Sequence, residues 1–288
     1  MLFSDQIGPL CAKYGPIRAV EMMVEAGFPA VDFSMFNASG VPFTDDYRSV
    51  AEELLRISER TGVKYVQAHA PFGGGIDNYM SKLVPLFPRA FEFCHILGIP
   101  NIVVHPLQTG RYYGNEEKLY DMNMKFYSAL APLAKQNGVR IAIENMWRRH
   151  PVTNRIEDDV CAPPEELVRY YDSLGDPDAF TVCLDIGHVT LCGREPERAI
   201  RTIGAERLGC IHAHDTDYVA DLHTLPGVGK INWEAVTEAL GEIGYRGVFN
   251  MECDSFLNNF PEEHYPVALR FAADTARMLA GKVELYKK

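Results

Sequence analysis

Two periods of apolar and polar positions replace each other along the whole chain. Alternating or nearly continuous apolar runs predict strands at residues 2–4, 31–36, 64–70, 101–105, 139–145, 180–185, 208–215 and 247–253. Between them, apolar residues recur at three- and four-residue spacing and predict helices at 17–26, 83–97, 119–137, 164–174, 196–203 and 265–279. Another is read from a cap at Thr44 to a stop at Gly62, with Val50, Leu54 and Ile57 on its apolar face. A further helix starts from Asn232 and turns Val236, Leu240 and Ile243 inward. Eight strands, each trailed by a helix, predict a closed α/β fold, the (β/α)8 TIM barrel. No Gly/Ser-rich linker or shift of composition divides the sequence, so residues 1–288 are expected to form a single domain. The longest irregular stretches, 146–163 and 216–231, both follow strand C-termini, where barrel active sites are built.

The strand ends carry the chemistry. TVCLDIGH (181–188) is an apolar run that closes on Asp185 and, three residues later, His188. Other runs close on His69, His105, Glu144, His212 and Glu252. An ionisable group at the end of a buried strand is costly unless something pairs with it, and a divalent cation would do so. Side chains alternate along a strand, so Ala142 shares a face with Glu144, Cys183 with Asp185, and Asn250 with Glu252. With the branched neighbours turned toward the helices, these carboxylates point into the barrel. The mixed oxygen and nitrogen donors suit at least one divalent ion, Mn, Mg, Co or Zn, with no need of thiolates. Any single His or Glu at a strand end is ordinarily a solvated rim residue. Six strand ends closing on ligand-type side chains are harder to explain that way.

Composition narrows the setting. Lys and Arg number 28 against 39 Asp and Glu, a net charge of −11, which argues against a partner gripped through its phosphates. No nucleic-acid partner is therefore expected. Seven scattered cysteines with no C-x-x-C predict reduced thiols. No basic-then-apolar leader and no membrane-length apolar run is present, so a soluble cytoplasmic protein with no membrane association is expected.

Several smaller features have bland readings. Gly73-Gly74-Gly75 reads as a flexible loop, with a substrate lid as the livelier option. Gly227, Gly229 and Lys230 lack phosphate-loop spacing and read as a turn into the helix at Trp233. Arg148, Arg149 and His150 could meet a substrate phosphate or simply be solvated. Trp147, Phe72 and Phe36 could stack on a sugar or pack the rim. His95 reads as packing on a helix.

Taken together, QAHAPF (67–72), VVHP (103–106), IEN (143–145), LDIGH (184–188), HAHD (212–215), DLHTLPGVGKINW (221–233) and ME (251–252) resemble the xylose isomerase-like barrel superfamily, in its sugar phosphate isomerase/epimerase group. The resemblance spans most of the chain. It implies a metal held by Glu144, Asp185, His212 and Glu252, with Glu144 and Glu252 as the acid/base pair on opposite faces of a small sugar or polyol. His188 would contact the sugar oxygens, and His69, Phe72 and Trp147 complete the expected substrate contacts. The implied reaction is isomerisation or epimerisation by proton transfer α to a carbonyl through a metal-stabilised enediolate. Members of this group often pair, so a homodimer is expected. One departure stands out: Tyr218 lies about where ketose 3-epimerases carry a substrate-binding arginine.

The rival implied by the same barrel is an endonuclease IV-like, zinc-dependent AP endonuclease or phosphodiesterase. Its ligand pattern is matched by His69, His105 and Glu144 for one ion. Glu144, Asp185, His212 and Glu252 match a second, and His188, Asp221 and His223 a third. Against it, Glu144-Asn145 runs into MWRR (146–149), where the nucleases have a small glycine-containing turn, and the chain is acidic.

Overall fold

The computed structural model describes residues 1–287. Strands and helices alternate as β1 (Phe3–Asp5), α1 (Gly8–Ala26), β2 (Ala30–Ser34), α2 (Tyr47–Thr61), β3 (Lys64–His69), α3 (Phe87–Leu97), β4 (Asn101–Val104), α4 (Glu116–Asn137) and β5 (Arg140–Glu144). They continue as α5 (Pro164–Leu174), β6 (Phe180–Asp185), α6 (Pro196–Ile203), β7 (Leu208–His212), α7 (Trp233–Glu242), β8 (Phe249–Met251) and α8 (Tyr265–Tyr286). Strands β2 to β7 pair in sequence order, all parallel, and β8 pairs with β1, also parallel. Single bridges, Gln6 to Asp32 and Ala213 to Met251, join these two sheets at both edges and close the cylinder.

The barrel interior is layered. Midway, Val103, Ala142, Cys183 and Cys210 pack against one another on one side. On the other side Asn250 accepts a hydrogen bond from Ser4 Oγ at 2.6 Å and donates to Asp32 Oδ2 at 2.8 Å, while Gln67 donates to the same oxygen at 2.9 Å. The next inward residues along the strands are His69, Glu144, Asp185, His212 and Glu252, so period-two alternation delivers them to the C-terminal mouth. Outward residues such as Phe33, Ile141, Ile143, Val182, Leu184 and Phe249 are fully or almost fully buried in the main core against the helices.

Two expectations need correcting. Thr44 caps nothing: α2 starts at Tyr47 after Asp46, and Thr44 Oγ1 is buried without a partner, because residues 40–46 form a turn held by Phe43 N–H donating to Gly40 O. The helix expected over 83–97, kinked or started late by Pro85 and Pro88, does start late, at Phe87, behind short helical turns over Ile76–Asn78, Tyr79–Leu83 and Val84–Leu86. Pro85 and Pro88 lack the N–H that a regular helix needs, which fits a late start. The stretch 146–163 is not wholly irregular, since Trp147–Arg149 and Ile156–Asp158 pair as a small antiparallel ribbon. Among the described residues no cysteine is disulfide-bonded, and no helix is long and apolar enough to cross a membrane.

Candidate metal and substrate site

Six strand ends deliver donors to the mouth of the barrel. His69 at the end of β3 donates from Nδ1 to Ala70 O at 2.9 Å, which turns Nε2 toward the other donors. That nitrogen lies 2.9 Å from His105 Nε2 and 3.5 Å from Glu144 Oε2, and His105 Nε2 is 2.9 Å from the same oxygen. Burial pushes His105 down to about 4, so its ring is neutral and able to ligate.

The other oxygen of Glu144 serves a second group. His212 Nδ1 lies 2.9 Å from Glu144 Oε1, 3.3 Å from Glu252 Oε2 and 3.7 Å from Asp185 Oδ2. These four side chains are at most 5% exposed. Burial alone would raise Glu144, but His212 and His105 outweigh it and hold its carboxyl well below the ordinary range. Glu252 is pushed the other way, by burial and then by Asp254 and Glu144. Two carboxyls side by side are thus driven apart in proton affinity.

A third group lies toward the 216–231 loop. His188 donates from Nδ1 to Asn145 O at 2.8 Å, and its Nε2 is 3.6 Å from Asp221 Oδ2. His223 Nε2 is 3.1 Å from that oxygen, and Trp147 Nε1 donates to it at 3.2 Å. The fourth member, His214, was passed over in the sequence. It is fully buried, its Nε2 lies 3.1 Å from Asp185 Oδ1, and its ring stacks on His223 at 4.1 Å. In each group one donor atom per residue lies within 4.8 Å of all the others: His69, His105 and Glu144; Glu144, Asp185, His212 and Glu252; His188, His214, Asp221 and His223.

Why these residues hold still is visible in their neighbours. Asn145 exchanges two hydrogen bonds with the backbone of Asp185, at 2.9 and 2.7 Å, tying the ends of β5 and β6 together. Asp185 Oδ1 accepts from His188 N–H at 2.7 Å and caps the turn that follows. Gly187 is required because a Cβ there would fall 2.0 Å from His214 Cε1. Asp215 organises the glycine-containing loop by accepting from Thr216, Gly227 and Ile231 N–H and from Trp233 Nε1. A Cβ on Gly229 would meet Asp215 Oδ1 at 2.3 Å, so that glycine is spent on close approach to a carboxylate.

The donor set fits a divalent ion. His212 Nε2, His214 Nδ1 and Asp221 Oδ1 are buried with no hydrogen-bond partner, and carboxylates at the ends of β5, β6 and β8 are packed together where an added positive charge would relieve them. Carboxylate and imidazole donors suit Zn, Mn, Co or Mg.

The remaining expected contacts are also near the mouth. Phe72 is 37% exposed with its ring 4.2 Å from His105, and Phe36 lies edge-on to His69 at 4.6 Å. Arg148 faces Glu157 and Asp159, and Arg149 lies over Trp147 and donates to Asn154 O, so both point their charge into their own ribbon. Tyr218 is exposed in a left-handed conformation on the loop after β7. His95 is not packing; it is exposed on α3 with Nδ1 donating to Asn137 O.

The chain matches the family model described as xylose isomerase-like TIM barrel over residues 20–274. The chain belongs to that family. It is 30% identical over 207 residues to an uncharacterised protein of Methanocaldococcus jannaschii, covering 69% of this chain and 67% of that one. It is 24% identical over 246 residues to the D-psicose 3-epimerase of Ruminiclostridium cellulolyticum, covering 81% and 76%. The IolI protein, solved with a bound zinc atom, superposes with a TM-score of 0.72 at 19% identity over 99% of both chains.

Proposed function

We propose that this protein is a divalent-metal-dependent sugar isomerase or epimerase that moves a proton α to a carbonyl. The observation that carries the reading is the convergence of Glu144, Asp185, His212 and Glu252 within one ion's reach, with two glutamates of opposed proton affinity among them. The kinship with a sugar 3-epimerase supports it. Glu144, Asp185, His212 and Glu252 would hold the ion. When bound, it supplies positive charge to the carbonyl oxygen and its neighbouring hydroxyl.

The chain's own residues do the rest. One glutamate takes the proton from the carbon beside the carbonyl, and the C–H electron pair moves into the enediolate. The other glutamate donates a proton. Delivery to the opposite face of the same carbon gives the epimer; delivery to the neighbouring carbon gives the isomer. His188, fixed through Nδ1, presents Nε2 to a substrate hydroxyl. Phe72, His69 and Trp147 wall the reacting carbons and limit access of water.

The test is solvent exchange. Ketoses incubated with the manganese-loaded protein in deuterated water should acquire deuterium at the carbon α to the carbonyl, together with an epimer or isomer. No exchange across a panel of ketohexoses and ketopentoses would overturn the reading.

One observation favours a second reading, zinc-dependent phosphodiester cleavage: the third donor group of His188, His214, Asp221 and His223 lies next to the other two. His223→Ala separates the two. A three-ion phosphodiesterase loses its activity, whereas a one-ion isomerase largely keeps its own.

A further inference from the structure

A side cavity of about 450 Å³ opens beside the ligand groups. It wraps round the end of β2, between the first turns of α1 and the 36–44 loop. Two of its lining residues connect it to the metal donors. Phe36 lies against the His69 ring at 4.6 Å, and Asp254 groups within 4.8 Å of Glu252 and His223. Most of its wall is apolar, from Pro9, Ala12, Phe33, Met35 and Val41.

The polar groups in that wall are few, and three of their oxygens are unengaged. Ser34 is only 7% exposed, and its Oγ has no hydrogen-bond partner. Thr44 Oγ1 and Asp254 Oδ1 are likewise buried and unpartnered. Buried hydroxyl and carboxylate oxygens are rarely left unsatisfied, so the three around this cavity are available to a ligand with hydrogen-bonding groups of its own. No Lys, Arg or His lines the cavity, so nothing in its wall would pair with a phosphate. Its size is that of a small-molecule site, about 300–1,000 Å³.

We propose that this cavity receives the non-reacting end of the substrate, and that the substrate is an uncharged sugar or polyol carrying an apolar O-linked substituent rather than a phosphate ester. The inference rests on the isomerase reading for what lies over the metal donors. Ring hydroxyls would meet Ser34, Thr44 and Asp254. The substituent would lie against Pro9, Ala12 and Val41.

The test is equilibrium binding by calorimetry, on the manganese-loaded protein, of phenyl β-D-glucopyranoside, methyl β-D-glucopyranoside and D-glucose 6-phosphate. The phenyl glucoside should bind about tenfold or more tightly than the methyl glucoside, because a snug apolar pocket rewards added carbon on that scale. The phosphate ester should bind no better than the methyl glucoside. Ala12→Trp, which fills the cavity, should abolish the phenyl advantage, and Val41→Trp should do the same from the loop if the first variant fails to fold. Equal affinities for the two glucosides, a preference for the phosphate ester, or a phenyl advantage that survives in a folded cavity-filling variant would overturn the proposal. Solvent exchange into ketoses tests the isomerase reading separately. Absence of exchange with the phenyl preference intact would sink that reading and leave the subsite standing.

Discussion

At the scale of residues, the most exacting position is a glycine. Gly187 has no room for a methyl group, because His214 occupies the space where Cβ would lie. Gly187→Ala should therefore displace His214 from Asp185 and cost about 1–3 kcal/mol of stability by overpacking, read as a lower thermal midpoint. Weakened zinc or manganese binding should accompany it. Glu144→Gln and Glu252→Gln should each lower turnover by about 10²–10⁴-fold, the usual worth of a positioned acid or base, while circular dichroism stays native. Asp5 offers a pH test at a carboxyl outside the three donor groups. Burial pushes its carboxyl up to about 8, although its Oδ1 accepts from Gln6 and Cys253 N–H. A carboxyl held protonated by the fold favours the native state at low pH, and that contribution is lost as pH rises from about 4 to 8. Asp5→Asn can accept the same two bonds without a charge. Over that range the thermal midpoint of the metal-stripped variant should fall less than that of the wild type, and parallel curves would contradict the assignment.

At the scale of elements, the site is held by strand ends and by the turns that follow them. Asn232 accepts from Ala235 N–H at the start of α7 and belongs to none of the three donor groups. Asn232→Ala should cost about 1 kcal/mol in a denaturant titration and leave metal affinity unchanged. The contrast with Gly187→Ala separates fold stability from site geometry. Much of this architecture was legible in the chain. The bounds of β6, α5 and α6 match the periodicity, and the alternation argument put Glu144, Asp185 and Glu252 on the inward faces where the structure has them. The same alternation carried one step further would have found His214, two residues after His212, and Asp254, two after Glu252. It would also have found Asp32 and Ser34 on β2, whose alternating pattern was read only as a strand. The ribbon at 147–158 was not legible, because Arg, Glu and Asp at its positions give no apolar alternation. Nor was the failure of Thr44 to cap, which depends on a turn closed by Gly40.

At the scale of the whole molecule, the barrel gathers side chains more than a hundred residues apart in sequence into a compact set of acids and imidazoles. The surplus negative charge of the chain is thereby partly buried at one end of the cylinder. Burial lowers His212, but Glu144 and the other neighbouring carboxylates outweigh it and raise its imidazole. Glu252 is raised too. Raised affinities mean that protons compete with the ion. Metal binding should therefore release protons and tighten as pH rises from about 5.5 to 7.5, seen as a buffer-dependent heat in calorimetry. Saturating metal should in turn raise the stability of the whole barrel by about 2.7 kcal/mol at a hundredfold excess over Kd, and chelation should remove that gain.

The most direct test is the metal content of the protein as purified, by elemental mass spectrometry, beside the double variant Asp185→Ala/His212→Ala. The account predicts at least one tightly held divalent ion per chain in the wild type, lost in the folded variant. A wild type that binds no divalent ion at stoichiometric level, or a variant that keeps the full complement, would contradict it.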